Sequence, residues 1–349
     1  MQTFTPPTIP PIDAAAIEQA RTQQESLAKP PGSLGRLEEF AIRIAGIQAT
    51  ETPTVDPATI VTAVADHGVA TDGVSAYPQS ITGGMLNALV NDRAAVNAIA
   101  RSNAVSTIVC DFGVVDGEDA VGSDAYASSV IDCRIGAGTA NMRTEPAMSR
   151  KAAVASIEQG RSVVTSHLTD AGCIGLGEMG IANSTAAAAI TAVLTGNEVS
   201  TVTGRGTGVD DEGLTHKQQV IADAIETTEP DRTDPIDVLR CVGGYEIGGL
   251  VGVTIEAASR RIPVVIDGVI TGAAALLAVA IDERVQPYLL PSHASVEPGH
   301  TVQLESLGVA PLFDYQMRLG EGTGAALAIA TYRSACQTQT EMATIAELT

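Results

Sequence analysis

Short β-branched runs alternate with alanine-rich stretches of helical length along most of this chain, and that alternation admits few folds. The runs stand at Ile60–Ala65, Ser106–Asp111, Glu198–Thr203 and Pro263–Asp267, and the spacing predicts helices over Thr82–Arg101, Arg150–Ala171, Ser184–Thr195, Lys217–Thr227, Gly244–Arg260 and Gly272–Ala280. Strand, glycine-rich loop and helix, repeated, imply βαβ units: an α/β fold with a Rossmann-like parallel sheet flanked by helices. A chain of 349 residues can bury a sizeable core. With four Phe, six Tyr and no Trp, that core must be aliphatic.

The ends read differently. Pro6, Pro7, Pro10 and Pro11 make an extended lead-in, helical spacing follows at Ala14–Ser26 and Leu34–Gln48, and a proline-rich stretch from Thr50 to Pro57 closes the segment. Thr323–Thr349 is helical again and suited to pack on those first helices. The expected division is 1–58, a large α/β domain over 59–328, and 329–349 returning to the first part.

Forty-one acidic against 20 basic residues give a net charge of −21, with Lys29, Lys151 and Lys217 the only lysines. No basic patch offsets the excess, which argues against nucleic acid or an anionic membrane as partner. The longest apolar stretch, Gly268–Ile281, falls short of the ~20 residues a span requires. Met1–Asp13 has neither a basic residue nor an apolar core, so no signal peptide is expected. Five scattered cysteines form no CxxC pair and five histidines no HxxxH pair, so no metal is expected and the thiols fit a cytoplasmic protein.

Four glycine-rich segments are expected at seams between strand and helix: Gly175–Gly180, Gly204–Gly208, Gly243–Gly249 and Gly320–Gly324. Glycine lets backbone approach a ligand closely, and helix N-termini favour anions. Together they suggest a pocket for a phosphorylated or otherwise anionic compound, although any one βα turn needs glycine for its own sake. The first segment matches GxGxxG, which opens a dinucleotide reading. Against it, Glu178 would lie in the pyrophosphate cradle and no acid ends the next run. No phosphate-binding GxxxxGK[ST] occurs.

Lys29-Pro-Pro-Gly-Ser-Leu-Gly-Arg-Leu-Glu38, Asp66-His-Gly-Val69, Gly177-Glu-Met-Gly-Ile181, Ser292-His293 with Glu297-Pro-Gly-His300, and Arg318-Leu-Gly-Glu-Gly-Thr-Gly-Ala-Ala326 resemble the nicotinate-nucleotide–dimethylbenzimidazole phosphoribosyltransferase family, in colinear order over nearly the whole chain. The resemblance implies transfer of phosphoribose from nicotinate mononucleotide to 5,6-dimethylbenzimidazole, giving α-ribazole 5'-phosphate and nicotinate for the lower ligand of cobalamin. It also implies a homodimer and a small helical domain built from both chain ends. No cofactor is implied.

Pyridinium nitrogen leaves without a proton, whereas the incoming benzimidazole must lose one, so one carboxylate as general base is the minimal requirement. Glu321 matches the family's base position, and Glu178 the position near ribose and nicotinate. Gly180, Lys217, Gly204, Gly206 and Gly208 suit a phosphate cradle, Asp267 ends a predicted strand where ligands meet a parallel sheet, and Ser295 lies in the serine–histidine loop. Asp66-His67 is expected at the pocket mouth, or as a cap. Tyr77 and Met85 are candidate contacts of the acceptor base. There the chain departs from the family, with Gly84 where Gln is common, which predicts tolerance of other bases. Ala182 and Ser184 replace the commoner Gly and Thr. Ser292, His293 and Glu297 invite a hydrolase reading, but no GxSxG elbow supports it, and His293 and His300 are expected to fix the loop. A nucleotide- or base-binding protein without turnover and a Rossmann oxidoreductase are the competing readings.

Overall fold

The computed structural model describes residues 4–349. Strands β1 (Ala58–Ala65), β2 (Ser106–Gly113), β3 (Val130–Asp132), β4 (Cys173–Met179), β5 (Val264–Ile266) and β6 (Leu289–Pro291) form one sheet in the order β3-β2-β1-β4-β5-β6. Every pairing is parallel. β1 is buried along its whole length, which is why its sequence is a near-continuous apolar run and does not alternate. The strand order reverses between β1 and β4, and a reversal of this kind opens a crevice at the carboxyl edge.

The predicted α/β architecture holds, with four corrections. Glu198–Thr203 is no strand: Val199–Val202 forms a helical turn, and the Thr203 hydroxyl donates to Val199 O at 2.6 Å. The strand beside β1 is instead Cys173–Met179, whose glycines had suggested a loop. They serve close contact, because a β-carbon at Gly175 would strike Ile60 and one at Gly177 the Glu321 backbone. Thr82–Arg101 is two helices, Ile81–Val90 and Ala95–Ser102. Asp92 takes a left-handed φ of 57°, and Asn97 Oδ1 accepts from Ala94 N at 3.0 Å to start the second.

Gly243–Gly249 does not join a strand to a helix either. It lies between the helices Pro235–Val242 and Tyr245–Ser259. A β-carbon at Gly249 would enter the Phe112 ring, and one at Gly252 would strike Ile157 O of the helix Arg150–His167. These glycines let a fully buried helix press against its neighbours.

Helices Ala14–Ser26 and Arg36–Gln48 pack on the final helix, Thr323–Glu341. Gln24 Nε2 donates to Gln339 Oε1 at 3.1 Å, and the Phe40 and Tyr332 rings meet edge to face at 5.1 Å. The final helix also covers β4 and β5, so the boundary expected after residue 328 falls inside one unbroken helix.

Candidate active site

At the carboxyl edge of the sheet lies a cavity of about 430 Å³. β4 delivers Glu178 and Gly180 to it, the helix Asn183–Thr195 delivers Ser184, and loops bring Gly206, Ser295 and Glu297.

One wall is acidic. Glu178 is buried, with Oε2 accepting from Asn183 Nδ2 and its other oxygen packed against Gly320. Burial pushes its carboxyl up to about 8 against the Asn183 bond, and the neighbouring carboxylates of Asp267, Glu246 and Glu321 add to the rise. Asp267 is raised to about 7 by burial, although Oδ1 accepts from Ala325 N at 3.0 Å and Oδ2 from Gly322 N at 3.2 Å. Its carboxylate therefore caps the final helix and does not line the cavity. Glu321, buried at a left-handed φ of 63°, is set behind Gly320; its Oε2 accepts from Val96 N at 3.1 Å, at the start of the helix Ala95–Ser102. Burial raises its pKa too, the backbone donors opposing.

A buried cation stands behind Ser184. Lys217 is 1% exposed, and its Nζ donates to Ser184 Oγ at 2.9 Å and to Gly204 O at 3.3 Å. Burial lowers it to about 8, with Glu297 pulling the other way. Gly206 N donates to Glu297 Oε1 at 2.8 Å, and Arg318 Nη1 donates to Gly206 O at 3.0 Å. Ala182, at the start of the helix Asn183–Thr195, supplies no side-chain cap, and Asn183 N and Thr185 N donate instead to Gly180 O and Ala182 O.

Of the residues expected in the site, Glu178, Gly180, Gly206, Ser295 and Tyr77 line the cavity, Tyr77 being 55% exposed. Lys217 and Gly204 stand directly behind it, and Gly208 faces the Arg318 guanidinium from outside the lining. Met85 packs half-buried against the core, away from the lining. Asp66 and His67 are not at the mouth. His67 Nε2 meets Glu246 Oε1 at 2.7 Å in a buried pair, and Asp66 Oδ2 accepts from Val115 N at 2.9 Å.

Ser292 Oγ and Asp267 Oδ1 both approach the same nitrogen of His293, Nδ1, at 3.1 and 3.9 Å. An imidazole so placed cannot relay a proton between them, so there is no hydrolytic triad. His300 Nδ1 accepts from Ser295 N at 3.1 Å, the loop-fixing role expected of it. Burial lowers His293 to about 4 and His300 to about 3. Among the described residues, no group of three or more His, Cys, Asp and Glu could hold a metal ion.

Sequence reasoning passed over Arg318 and Thr207, which accepts from Ala76 N at 2.9 Å and so ties the glycine loop to the segment before Tyr77. The arginine was legible as a basic residue opening the Arg318–Ala326 motif of a very acidic chain. The threonine carried no such signal.

A family model described as phosphoribosyltransferase matches residues 9–348. A Roseiflexus sp. (strain RS-1) protein named nicotinate-nucleotide–dimethylbenzimidazole phosphoribosyltransferase is 46% identical over 341 residues, 97% of this chain and 95% of its own. A Pseudomonas putida protein of the same name is 42% identical over 338 residues, 97% of this chain and 95% of its own. The crystal structure of CobT from Thermus thermophilus superposes with a TM-score of 0.89 at 38% identity, covering 96% of this chain and 98% of that one.

Proposed function

This chain belongs to the nicotinate-nucleotide–dimethylbenzimidazole phosphoribosyltransferase family, and on that footing we propose that it transfers phosphoribose from nicotinate mononucleotide to 5,6-dimethylbenzimidazole or a similar base. The products are α-ribazole 5'-phosphate, the precursor of the cobalamin lower ligand, and nicotinate. The observation that carries this reading is the pairing of opposite charges at one cavity: a buried lysine behind Ser184 and the glycine loop, and a buried carboxylate, Glu178, in the lining. A nucleotide matches that arrangement with its phosphate toward Lys217, Ser184 and Gly206 and its ribose hydroxyls toward Glu178.

Displacement at the anomeric carbon breaks the bond to nicotinate nitrogen and forms one to a benzimidazole nitrogen, whose proton must leave. Glu321 takes that proton as general base. Burial raises its pKa against the backbone donors of Val96 and Ala95, which strengthens a carboxylate as a base. Its bond to Val96 N fixes the carboxylate at the start of the helix Ala95–Ser102. Glu178, raised to about 8, holds a proton near neutral pH, so it can donate to a ribose hydroxyl as well as accept.

Tyr77, in the lining, takes the acceptor base with Met85 packed behind it, and Gly84, an exposed position with nothing within 4 Å of a β-carbon, adds no side chain to that region. Tolerance of adenine, benzimidazole or phenols follows, and strict preference for dimethylbenzimidazole in a competition assay overturns it. The same reading includes a cytoplasmic location, supported by five free, buried cysteines, and a small domain of the first two helices with the end of the last. It also includes a homodimer, supported by exposed Tyr77, Tyr315 and Leu319 around the cavity. Light scattering at a monomer mass would overturn the dimer.

The test is a product assay. Nicotinate mononucleotide and dimethylbenzimidazole are incubated with wild type and with Glu321→Gln, and nicotinate and ribazole phosphate are followed by chromatography with mass detection. Both products from wild type and a large loss in the variant are expected. Nucleotide binding without nicotinate release would indicate a binding protein.

A further inference from the structure

Glu297 precedes Pro298 at the start of the helix Pro298–Ser306, where an acidic side chain ordinarily caps its own helix. It makes no such cap. The side chain reaches instead across the cavity edge to the glycine loop, where Oε1 accepts from Gly206 N at 2.8 Å. The carboxylate lies so close to Gly204 that a β-carbon there would collide with it. Glu297 is 7% exposed and Lys217 1%, and the carboxylate pulls the lysine toward its charged form against burial. A carboxylate thus holds one backbone donor and faces the ammonium that a phosphate would use, and two anions cannot share that ground without repulsion.

We propose that Glu297 is an internal competitor for the phosphate cradle: its carboxylate holds the Gly206 N–H and faces Lys217, and a nucleotide phosphate binds by displacing it. The inference rests on the reading above that Lys217 and the 204–208 loop receive the phosphate. It accounts for two features that this reading leaves unexplained. A carboxylate beside an anion site would otherwise only weaken it, but here its charge offsets part of the cost of burying the lysine. The glycines at 204 and 206 leave room for the side chains that crowd them, because a β-carbon at 204 would meet the Glu297 carboxylate and one at 206 the Ser184 hydroxyl and the Lys217 ammonium. Glu297 is on this account a residue that sets how tightly anions bind, with no part in the chemical step.

The test measures affinity calorimetrically for three probes: inorganic phosphate, nicotinate mononucleotide and nicotinate riboside, which lacks the phosphate. Glu297→Gln keeps an acceptor for Gly206 N and removes the charge. It is expected to bind phosphate and the mononucleotide about tenfold more tightly, about 1.4 kcal/mol, with the riboside unchanged. Glu297→Asp, which withdraws the carboxylate by one methylene, is expected to gain about threefold and stands in if the first variant does not fold. Unchanged or weaker phosphate binding in both variants overturns the proposal. Weaker riboside binding also overturns it, by assigning Glu297 to the ribose hydroxyls. Lys217→Met separates the two levels of argument. Wild-type mononucleotide affinity in that variant removes the phosphate placement itself. Lost affinity there, with no gain in the Glu297 variants, removes only the competitor.

Discussion

The two walls of the cavity are built on different principles. Each buried carboxylate in or behind the acidic wall is engaged by the fold: Asp267 caps the final helix, Glu321 the helix Ala95–Ser102, and Glu178, which alone of the three lines the cavity, is gripped by Asn183. No lysine or arginine lies in a salt bridge with any of the three among the described residues, so burial dominates and their pKa values rise. The other wall offers a single buried ammonium held by a hydroxyl, a carbonyl and the facing Glu297, and caps nothing. Substitutions on the acidic wall should therefore mix chemistry with stability, whereas substitutions on the lysine wall should change ligand affinity alone.

The largest effect expected is on turnover. Glu321→Gln can still accept from Val96 N, so the cap survives while the base is lost, and kcat should fall by about 10²–10⁴ with little change in Tm. A comparable fall in Tm would mean that the carboxylate is structural and would break the contrast. Next comes Lys217→Met, which removes a charged hydrogen-bond donor; KM for nicotinate mononucleotide should rise about 10- to 100-fold with kcat far less affected. Steady-state kinetics that showed kcat falling instead would place the lysine in the chemical step.

Asp267→Ala strips the cap from Gly322 and Ala325 and should cost about 1–2 kcal/mol in denaturant unfolding. Unchanged stability would show that the acidic wall is not shared with the fold. The smallest effect is on pH dependence. Glu178 at about 8 and Asp267 at about 7 bind their protons more tightly folded than unfolded, so the stability they contribute is complete at low pH and is lost as pH rises through those values. His67, raised by Glu246 in spite of its burial, acts in the same direction. His293 and His300, lowered to about 4 and about 3, act in the opposite direction but only below their ordinary value. Tm should therefore decline between about pH 6.5 and 8, and Glu178→Gln should flatten part of that decline in a thermal melt. A Tm that rises across this window would contradict the burial of these acids.

Helices with strong composition were legible to within a few residues, as Arg150–His167 and Asn183–Thr195 show. The strand Cys173–Met179 was not, because its glycines answer to Ile60 and the Glu321 backbone, partners more than a hundred residues away in the chain. Val199–Val202 misled for the converse reason: β-branched residues suit a strand, yet this segment has no place in the sheet and packs between helices. Of the residues singled out from the sequence, Glu178, Gly180, Gly206 and Ser295 come together in the lining of one cavity. What each side chain touches was beyond the motifs.

The sequence by itself determined an α/β chain, an aliphatic core and the motifs that place it in its family, because local propensity, hydrophobic patterning and unusual strings of residues are properties of consecutive positions. Tertiary structure alone decided that Asp267 and Glu321 cap helices, that Asp66 and His67 lie outside the cavity lining, and that Glu297 faces the one buried lysine. Those outcomes depend on distance and exclusion of water between segments far apart in the chain, and the strength of a charge is set by its surroundings.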